Sequence, residues 1–340
     1  MGVPAQADIT AGCNGFAGLI VAALQQCLDP KRPYALFDFP LYSNVGDSVI
    51  WQAELSVLAV YFGCHPVLSC ASLGASDALP PLSACTQIIL TGGGNLGDLW
   101  EHHQRFRERV IRAYPRHRIV QMPQSICFQH PAKQARCREV FSAHPDLTLL
   151  VRDEPSLAIA ARLHQGRTLL VPDVALALGS IRRPTAPSRP IVALLRGDLE
   201  KRTLDEPALQ RRWHVQDWIE EPCYLEKRLL LRLRRFAAWP GRWSRLVASL
   251  EGWLQQRLSR RRLQRGCQLL SQGAVVITDR LHAHLLCLLM DIPHVVLDNS
   301  YGKISSFRQR WTAQCSVPVL QASTLAEADR MASQLLRDLG

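Results

Sequence analysis

Short apolar runs alternate with longer, helix-like segments along the first half of the chain. The runs that predict strands are YALFDF, QIILTGGGN, RIVQMPQSI, LTLLVRD and TLLVPDVALAL. The segments between them predict helices, the first of which spans residues 47–63. Strands that alternate with helices form a parallel sheet with helices on its faces. We therefore predict a doubly wound α/β domain over residues 1–180.

The second half of the chain begins after a proline-bearing polar stretch, GSIRRPTAPSRP, which predicts a linker. The run PIVALLRGD opens a new set of elements, but the next strand–helix–strand unit, GAVVITDRLHAHLLCLLMDIPHVVLDN, starts only at residue 273. We interpret residues 199–265 as helices or loops inserted into a second domain that spans residues 181–340. The predicted fold class is α/β with two domains, in keeping with a length of 340 residues.

Composition supports a folded, soluble protein. Hydrophobic residues make up 47% of the chain and charged residues 20%, which suits proteins with apolar cores. The 11 cysteines are scattered without a CxxC pair, which predicts reduced thiols in a cytoplasmic protein rather than disulfides or a zinc site. The apolar stretch at residues 16–24 has no basic region before it, so we predict a helix there and not a signal peptide. No run of about 18 apolar residues predicts a membrane-spanning helix.

The formal net charge of +11 is concentrated in one segment. Between Leu225 and Gly266, twelve lysines and arginines stand against two glutamates, a local net charge of +10. Leucines and tryptophans interleave with the arginines, a composition typical of a helix that lies on a membrane surface. A solvated basic pair of helices packed on the second domain would have the same composition. No motif for reading nucleic acid accompanies the segment, so we expect no nucleic-acid partner.

Polar residues and glycines follow the ends of several predicted strands, where open α/β sheets bind ligands. After the first strand, Asn44, Gly46 and Asp47 open a helix. Asparagine and aspartate suit an N-cap, and the exposed N–H groups of a helix start favour an anion. An ordinary capping turn would use the same residues, so this loop alone leaves both interpretations open.

The loop TGGGNLGD follows the second predicted strand. Its candidate site residues are Gly92, Gly93, Gly94, Asn95 and Asp98. Consecutive glycines let the backbone approach a ligand closely, although a tight turn also explains them. The loop fits neither the GxxxxGK[ST] nor the GxGxxG pattern. The repeated theme, NVGD in one loop and NLGD in the next, favours a ligand-facing role.

Two further strand ends carry candidate residues. Gln121 and Gln124 lie in the run QMPQS, at the end of the third strand. Arg152 lies at the end of the fourth and is a candidate anion contact. Alternatively, Arg152 forms a surface ion pair with Asp153 or Glu154, as most such arginines do.

The segment TDRLHAH has the most specific pattern. Asp279 and Arg280 lie at the carboxyl end of a predicted strand, and His282 starts the helix that follows. Arginine presents a planar fork that suits a carboxylate or a phosphate. Histidine is suited to proton transfer near neutral pH. The pattern therefore indicates an anion site with a proton donor or acceptor beside it.

The same segment gives no sign of a metal site. His282 and His284 are two residues apart and cannot share a helix face, which excludes the paired-histidine arrangement of HExxH enzymes. We expect no metal. Downstream, Asn299 and Lys303 follow the strand HVVLD and form another ligand-facing edge; Lys303 is a candidate phosphate contact or an ordinary exposed lysine.

Taken together, NVGDSVIWQAE, TGGGNLGDLW, QMPQS, VRDEPS and TDRLHAHLL…PHVVLDNSYGK resemble the polysaccharide pyruvyl transferase family. They occur in the order that the family shows and cover most of residues 34–310. The resemblance implies a glycosyltransferase-B-like fold, with two Rossmann-like domains facing a cleft. The N-terminal domain would be the acceptor side and the C-terminal domain the donor side. Family members transfer pyruvate from phosphoenolpyruvate to a sugar as a cyclic ketal and release phosphate.

The resemblance also implies roles for individual residues. The Arg-Leu-His motif of the family falls on Arg280 and His282, so Arg280 would bind the donor carboxylate or phosphate and His282 would protonate the donor methylene. The implied donor-binding residues are Arg152, Arg280, Asn299 and Lys303. The acceptor or loop-forming residues would be Asn44, Gly46, Asp47, Gly92, Gly93, Gly94, Asn95, Asp98 and Gln124. Asp279 and His284 would support the motif, and no general base is assigned.

The implied partners are phosphoenolpyruvate as a co-substrate, with no cofactor, and a saccharide acceptor. An acceptor linked to polyprenyl diphosphate would bring a cytoplasmic enzyme to the inner face of the cell membrane, through Leu225–Gly266. Two alternatives remain open: a nucleotide-sugar glycosyltransferase of the same overall fold, and a catalytically silent membrane-associated assembly factor. The intact Arg280 and His282 argue against the silent protein.

Overall fold

The computed structural model describes residues 14–71, 79–197, 213–235, 245–298 and 302–339. The chain divides into two compact units. The first-sheet unit consists of Ile20–Val174 and Glu221–Arg262. The second-sheet unit consists of Met1–Leu19, Ala175–Glu220 and Leu263–Gly340. Each unit contains one parallel sheet, which confirms the predicted α/β class.

The first sheet has seven strands in the part of the chain that the structure describes. They are β1 (Tyr34–Phe39), β2 (Leu68–Ala71), β3 (Gln87–Leu90), β4 (Gly93–Gly97), β5 (Ile119–Cys127), β6 (Leu147–Val151) and β7 (Arg167–Leu170). The strand order is β2-β1-β3-β5-β6-β7, with β4 paired to the outer part of β5. Most of these strands are buried along their whole length, as their continuous apolar runs predict for a sheet covered on both faces.

Helices of the first-sheet unit connect and cover these strands. They are α2 (Val45–Phe62), α3 (Glu101–Ala113), α4 (Pro131–Ala143), α5 (Glu154–Leu163) and α6 (Leu225–Arg235), with α1 (Asn14–Cys27) and α7 (Arg245–Ser271) each crossing a unit boundary. Apolar side chains of β1, β3, β5 and α3 interlock in one core, in which Phe37 packs against Phe106 and Tyr114. The burial of these rings fixes α3 beside the carboxyl ends of the strands.

The second sheet has five strands among the described residues. They are β8 (Arg189–Leu194), β9 (His214–Gln216), β10 (Gly273–Thr278), β11 (His294–Leu297) and β12 (Val319–Ala322). The strand order is β12-β11-β10-β8-β9. The helices of this unit are α8 (Leu281–Leu289), α9 (Lys303–Phe307) and α10 (Leu325–Leu339). The apolar face of α10 packs on β10, β11 and β12, and Trp213 closes this core by donating a hydrogen bond to Asp329 (2.9 Å).

The predicted strands and helices of the first half are confirmed, with three differences. The run QIILTGGGN, predicted as one strand, forms β3 and β4, which are separated by Thr91 and Gly92. The run TLLVPDVALAL is a strand only at Arg167–Leu170; residues Val174–Leu178 form a 3₁₀ helix instead. Pro172 lies between these two elements, and proline cannot donate a ladder hydrogen bond. The strand Leu68–Ala71 was not predicted, because four residues are too few to show a period.

The inserted segment is divided differently from the prediction. Residues 221–262 belong to the first-sheet unit and not to the C-terminal domain, and residues 198–212 and 236–244 lie outside the described residues. Fully buried Arg262 explains this assignment. Its guanidinium donates to the carbonyls of Pro40 (2.7 Å) and Leu41 (3.2 Å), directly after β1, and pairs with Glu221 (2.7 Å). Composition could not reveal that one arginine of a basic segment is an internal ligand of the backbone.

Two histidines are hydrogen-bonded to each other in the interior of the second-sheet unit. His294 Nδ1 lies 2.8 Å from the carbonyl of Ile292 and must therefore carry the proton. Its Nε2 then accepts from Nδ1 of His284 (2.7 Å), and Nε2 of His284 accepts from the hydroxyl of Thr312 (2.9 Å). The chain of donors is complete only while both rings are neutral. Burial lowers the pKa of His294 to about 4 and that of His284 well below its ordinary value.

This pair predicts a loss of stability in mild acid. The folded-state pKa lies below the unfolded value, so the unfolded chain binds more protons, and stability is lost as the pH falls from about 6.5 towards 4. For His294 alone we expect unfolding to become easier by about 2 kcal/mol between pH 7 and pH 5. Denaturant unfolding at the two pH values measures this. His294→Gln should flatten the dependence, whereas His65→Gln, at an exposed histidine, should leave it as in the wild type. Equal slopes in all three proteins would contradict the assignment.

No helix in the described parts of the chain is long and apolar enough to cross a membrane.

Candidate active site

Both sheets have the same order of strands, and in each the order reverses beside the first strand. In the first sheet the reversal lies between β1 and β3; in the second it lies between β8 and β10. Helices that leave the sheet on opposite sides open a crevice beyond the carboxyl ends of such strands, which is where doubly wound proteins bind ligands. The chemical groups at each reversal are therefore the candidate site residues, and we describe the two units separately.

Arg280 stands at the reversal of the second sheet, as the N-cap residue of α8. Its Nη2 donates to Asp217 Oδ2 (2.7 Å), and its guanidinium carbon lies 5.7 Å from the centre of the Trp218 ring. The side chain is almost fully buried. A guanidinium held by a carboxylate on one side and a ring on the other is fixed in direction, beside a helix start that also favours anions.

Asp279 holds the two strand ends together. Its Oδ1 accepts from the backbone N–H of Arg196 (2.9 Å), just beyond β8. Burial raises the pKa of Asp279 to about 6, against the opposing effect of Arg280 and Arg196. Thr278 makes a parallel link by donating to the carbonyl of Leu194 (2.8 Å) and accepting from the N–H of Arg280 (3.1 Å). The supporting role predicted for Asp279 fits these contacts.

The two histidines of the motif lie in different surroundings. His282 occupies the first turn of α8 and is partly exposed. His284 is fully buried in the interior pair described above and faces away from solvent. The two histidines lie on different faces of the helix, as their two-residue spacing predicts. Of these two histidines, only His282 is partly exposed.

The last predicted edge is described in part. Asn299 lies outside the described residues, as does the side chain of Lys303, the first residue of α9. Asp298 accepts from the backbone N–H groups of Ile304 (3.0 Å) and Ser305 (3.4 Å) and so anchors the start of this helix. The predicted donor contacts of Asn299 and Lys303 stay predictions.

At the reversal of the first sheet, the NVGD loop forms a compact polar turn. Asn44 caps α2 by accepting from Gly46 N (2.9 Å), and its amide donates to Asp47 Oδ2 (2.7 Å). The hydroxyl of Tyr42 donates to the same oxygen (2.7 Å). Burial, reinforced by Asp47, raises the pKa of Tyr42 well above its usual range, so the phenol keeps its proton.

The TGGGN loop lies against this turn. Asn95 Oδ1 accepts from Arg107 Nη2 (2.9 Å) and from Gln124 Nε2 (3.0 Å), which turns the amide nitrogen of Asn95 towards the Tyr42 hydroxyl, to which it is hydrogen-bonded. The structure thus brings together three predicted residues, Asn44, Asp47 and Asn95, with Gln124 buried behind them.

The glycines of this loop make room for protein and not for a ligand in this structure. A Cβ on Gly92 would lie 2.6 Å from the carbonyl oxygen of Pro123, and one on Gly97 would overlap the carbonyl oxygen of Cys127. Gly97 also has φ +131°, which disfavours any other residue. The close pairing of β4 with β5 therefore requires glycine at both positions, and a Cβ on Gly93 would press on Asp47 Oδ1 (3.3 Å).

Two predicted residues carry structural contacts. Asp98 accepts from the backbone N–H groups of Gln129 (2.9 Å) and His130 (2.7 Å), just before α4, so the second Asn-x-Gly-Asp theme is used differently from the first. Arg152 is fully buried and paired with Asp173, and its Nε donates to Ser125 (2.9 Å). The buried partner Asp173 differs from Asp153 and Glu154, the two partners that the sequence offered, and the predicted donor contact of Arg152 stays a prediction.

Several site residues escaped the sequence analysis. Asp217, the partner of Arg280, follows the edge strand β9, whose three residues carry no pattern. His103 on α3 pairs with Asp38, 65 positions away, and Glu54 lies buried beneath Gly92, which donates to its Oε1 (2.8 Å). The sequence contained one indication of the His103–Asp38 pair: Asp38 interrupts the apolar run YALFDF of a buried strand.

No group of three potential metal ligands occurs in the described residues, so the structure offers no candidate metal centre there.

Comparison with known proteins places this geometry in a family. The model of the polysaccharide pyruvyl transferase family matches residues 44–301, which include β8 and β10 at the second reversal and, at the first, β3 and the loop from Asn44 but not β1. The chain belongs to this family. Membership makes the protein a pyruvyl transferase by class, and the family match does not favour the nucleotide-sugar glycosyltransferase alternative.

Relatives of the family span most of the chain. "Putative pyruvyl transferase EpsO" of Bacillus subtilis is 30% identical, with 83% of this chain and 86% of the relative covered. "Pyruvyl transferase 1" of Schizosaccharomyces pombe is 29% identical over 84% of this chain and 71% of the relative. The crystal structure of an uncharacterized protein from Klebsiella pneumoniae shares the fold, with a TM-score of 0.61 at 16% identity, covering 91% of this chain and 99% of that one.

The buried Glu54 of this pyruvyl transferase gives a prediction for stability. Burial raises the pKa of Glu54 well above its usual range, although the Gly92 N–H opposes the shift. Because the unfolded chain ionises first, this group destabilises the fold as the pH rises above about 4.5. Glu54→Gln keeps an acceptor for Gly92 and removes the titration.

We expect the difference in unfolding free energy between Glu54→Gln and wild type to favour the variant more at pH 8 than at pH 5. The gain should be about 1.4 kcal/mol for each pH unit in this range over which Glu54 stays protonated in the fold but is ionised in the unfolded chain. Denaturant unfolding of both proteins at the two pH values measures the difference, and the histidine pair cancels in the comparison. A pH-independent difference would show that Glu54 is ionised in the fold.

Proposed function

We propose that the protein transfers a pyruvyl group from phosphoenolpyruvate to two hydroxyls of a saccharide, forming a cyclic ketal and releasing phosphate. The observation that carries the proposal is the arrangement at the second reversal, where Arg280 is fixed beside the start of α8 and His282 follows in its first turn. A fixed cation beside a partly exposed imidazole matches a multiply charged donor that must be protonated. The predicted glycosyltransferase-B-like arrangement of the domains is part of this proposal.

Binding of the donor falls to Arg280. A carboxylate or phosphate of phosphoenolpyruvate meets a guanidinium whose direction Asp217 and Trp218 have already set, so little conformational entropy is lost on binding. The N–H groups at the start of α8 add positive potential at the same place. Lys303 and Asn299, downstream of β11, are further donor contacts in this proposal.

His282 supplies the proton. Transfer from its ring to the methylene carbon of phosphoenolpyruvate forms a C–H bond and leaves positive charge at C2. One acceptor hydroxyl adds to C2, the C2–O bond to phosphate breaks, and the second hydroxyl adds to close the ketal. The two hydroxyl protons balance the proton gained by the methyl group and the proton carried off by hydrogen phosphate. No cofactor takes part.

The acceptor side of the proposal rests on the polar turn of the first sheet. Asn44, Asp47 and Asn95 are partly exposed and present amide and carboxylate groups of the kind that bind sugar hydroxyls. In this proposal Gly46, Gly92, Gly93, Gly94 and Gln124 hold this turn in shape, whereas Asp98 anchors the backbone before α4. The acceptor is an exopolysaccharide or cell-wall repeat unit, and a polyprenyl-diphosphate-linked form fits the basic segment discussed below.

The activity test is direct. Purified protein, phosphoenolpyruvate and a panel of glycans should give phosphate and a pyruvyl ketal in equal amounts. Arg280→Ala and His282→Ala should each lower the rate by at least about a hundredfold, the usual contribution of a positioned acid–base group. His282→Ala should keep its affinity for phosphoenolpyruvate, whereas Arg280→Ala should lose it.

Two results would refute the proposal. Turnover of UDP-sugars without turnover of phosphoenolpyruvate would assign a glycosyltransferase, and rates near wild type in both variants would remove the two roles. His65→Gln is the matched control, since this exposed histidine belongs to neither sheet edge.

We further propose that α6 and α7 dock on an anionic membrane surface. The outer face of α7 carries Leu246, Leu250 and Trp253, which are 85%, 46% and 53% exposed and lie three or four residues apart. The next turns of the same face carry Arg257, Arg260 and Arg261, which are exposed as well. The inner face carries polar residues of low exposure, Glu251, Gln255, Ser259 and Arg262.

α7 buries Leu254 and Leu258 as an ordinary surface helix does, but it also carries this apolar stripe on its exposed face. Folding gains nothing from an apolar stripe in water, and tryptophan beside arginine is suited to the boundary between acyl chains and anionic headgroups. The site of action would be the inner face of the cell membrane. Residues 236–244, which also belong to the predicted basic segment, lie outside the described residues.

Vesicle binding tests the docking proposal. Replacing Leu246, Leu250 and Trp253 by serine should abolish binding to vesicles that contain phosphatidylglycerol. Neutralising Arg232, Arg234 and Arg235 should weaken it by about a hundredfold, at about 1 kcal/mol for each charge. Phosphatidylcholine vesicles are the control. Binding that persists unchanged in the arginine variant would contradict the proposal.

A further inference from the structure

A histidine that the proposed chemistry leaves unused lies at the reversal of the first sheet. His103, on α3, has its Nδ1 at 3.0 and 3.1 Å from the two carboxylate oxygens of Asp38, near the end of β1. Both side chains are almost fully buried. The pair lies at the carboxyl ends of the strands beside which the order reverses, where the topology places a ligand.

The hydrogen bonds assign the ring nitrogens. A carboxylate only accepts, so Nδ1 of His103 carries the proton that Asp38 receives. In the neutral ring Nε2 is then the basic nitrogen, on the opposite side of the imidazole. The negative charge of Asp38 also stabilises the cation that forms when Nε2 gains a proton. This relation between carboxylate, imidazole and substrate proton is the one used by general bases in acyl transfer.

The backbone at Asp38 is strained, at a β-bulge in the pairing of β1 with β2. Asp38 has φ +76°, one of two non-glycine residues with positive φ in the described chain. Left-handed backbone at an ordinary residue costs about 1 kcal/mol or more, and such strain collects at functional sites. Glycine would adopt the same conformation without this cost. What glycine lacks is the carboxylate, so the strain points to the carboxylate as the reason for residue 38.

The surroundings keep Asp38 ionised and place the ring beneath exposed groups. Burial of Asp38 acts to raise its pKa, but His103 and then the buried guanidinium of Arg107 outweigh it and hold the pKa below the usual value. Two rings cover His103: Tyr42, 36% exposed, with ring centres 5.2 Å apart, and the exposed His102, at 4.0 Å. Tyr42 connects this pair to Asp47 and Asn95, the predicted acceptor residues.

We propose that His103 is the general base for the acceptor saccharide and that Asp38 is its positioning residue. The ligand is a diol of a sugar, bound with one hydroxyl at Nε2 of His103. As that oxygen forms its bond to C2 of the donor, its O–H bond breaks and the proton passes to Nε2. Nε2 of His103 then releases this proton to solvent, and His282 takes up a proton from solvent in place of the one it gave to the methylene. The proton of the second hydroxyl leaves with hydrogen phosphate.

This inference rests on the proposed function, and one set of experiments separates the two. The probes are phosphoenolpyruvate with a panel of methyl hexopyranosides that differ in the geometry of their hydroxyl pairs; phosphate release is followed as a function of pH. His103→Gln should lower kcat by at least about a hundredfold and leave the KM for phosphoenolpyruvate unchanged. The acid limb of the kcat profile, which reports a base that must be unprotonated, should disappear.

Further variants distinguish a base from a merely structural histidine. Asp38→Asn should lower kcat by at least about tenfold, because its amide can donate to Nδ1 and favour the wrong tautomer. Imidazole added to His103→Ala should restore part of the rate. His102→Gln, the neighbouring exposed histidine, should stay within about twofold of wild type, since only one of the pair faces Asp38. Thermal unfolding establishes that each variant is folded.

The outcomes are separable. Absence of phosphate release by the wild-type protein with every acceptor overturns the proposed function and this inference with it. An active wild type, together with a folded His103→Gln variant that keeps its rate and its acid limb, overturns only the general base. Failure of imidazole to rescue a folded, inactive His103→Ala also counts against it.

Discussion

The guanidinium of Arg107 is buried, and a buried cation must find acceptors on every side. It finds them in the amide oxygens of Gln121 (2.6 Å), Asn95 (2.9 Å) and Gln104 (3.4 Å). An amide whose oxygen is taken presents its nitrogen elsewhere, so each contact fixes a donor direction. The nitrogen of Gln121 meets the carbonyls that end β3, and that of Asn95 meets Tyr42. The buried charge of Arg107 thus fixes the orientation of the polar side chains at this edge of the first sheet.

The two units use one topology for different chemistry. At the reversal of the second sheet the organising group is a cation, Arg280, held by a carboxylate. At the reversal of the first sheet the accessible groups are amides, a phenol and carboxylates, with an imidazole paired to Asp38 beneath them. Anionic donors need the first kind of group, and hydroxyl-bearing acceptors need the second. In the function we propose, the same strand order therefore serves two substrates of unlike charge, because its strand ends carry unlike side chains.

Much of this could be predicted from the sequence, and the rest depends on distance along the chain. Buried parallel strands appear in the sequence as apolar runs, and the polar residues that follow these runs can be recognised as candidate site residues. The role of each candidate residue depends on its contact partners in the fold, and a local sequence pattern does not reveal those partners. Asp98 and Asp47 share a motif, yet Asp98 accepts from backbone far along the chain. Arg152 and Arg280 are both strand-end arginines, but only Arg152 meets a fully buried carboxylate, Asp173. His103 gave no signal of its own, because its partner Asp38 lies 65 positions away.

The glycines of the TGGGN loop have a consequence for how the family is recognised. Gly92 and Gly97 are required by the carbonyl oxygens of Pro123 and Cys127 on the neighbouring strand. A homologue that had lost its enzymatic activity but kept its fold would still need them, whereas nothing in the packing of β4 on β5 demands His103 or His282. The glycine motif is therefore a marker of common descent and architecture. A survey that used it to count active enzymes would also count pseudoenzymes, and the histidines are the positions at which the two should diverge.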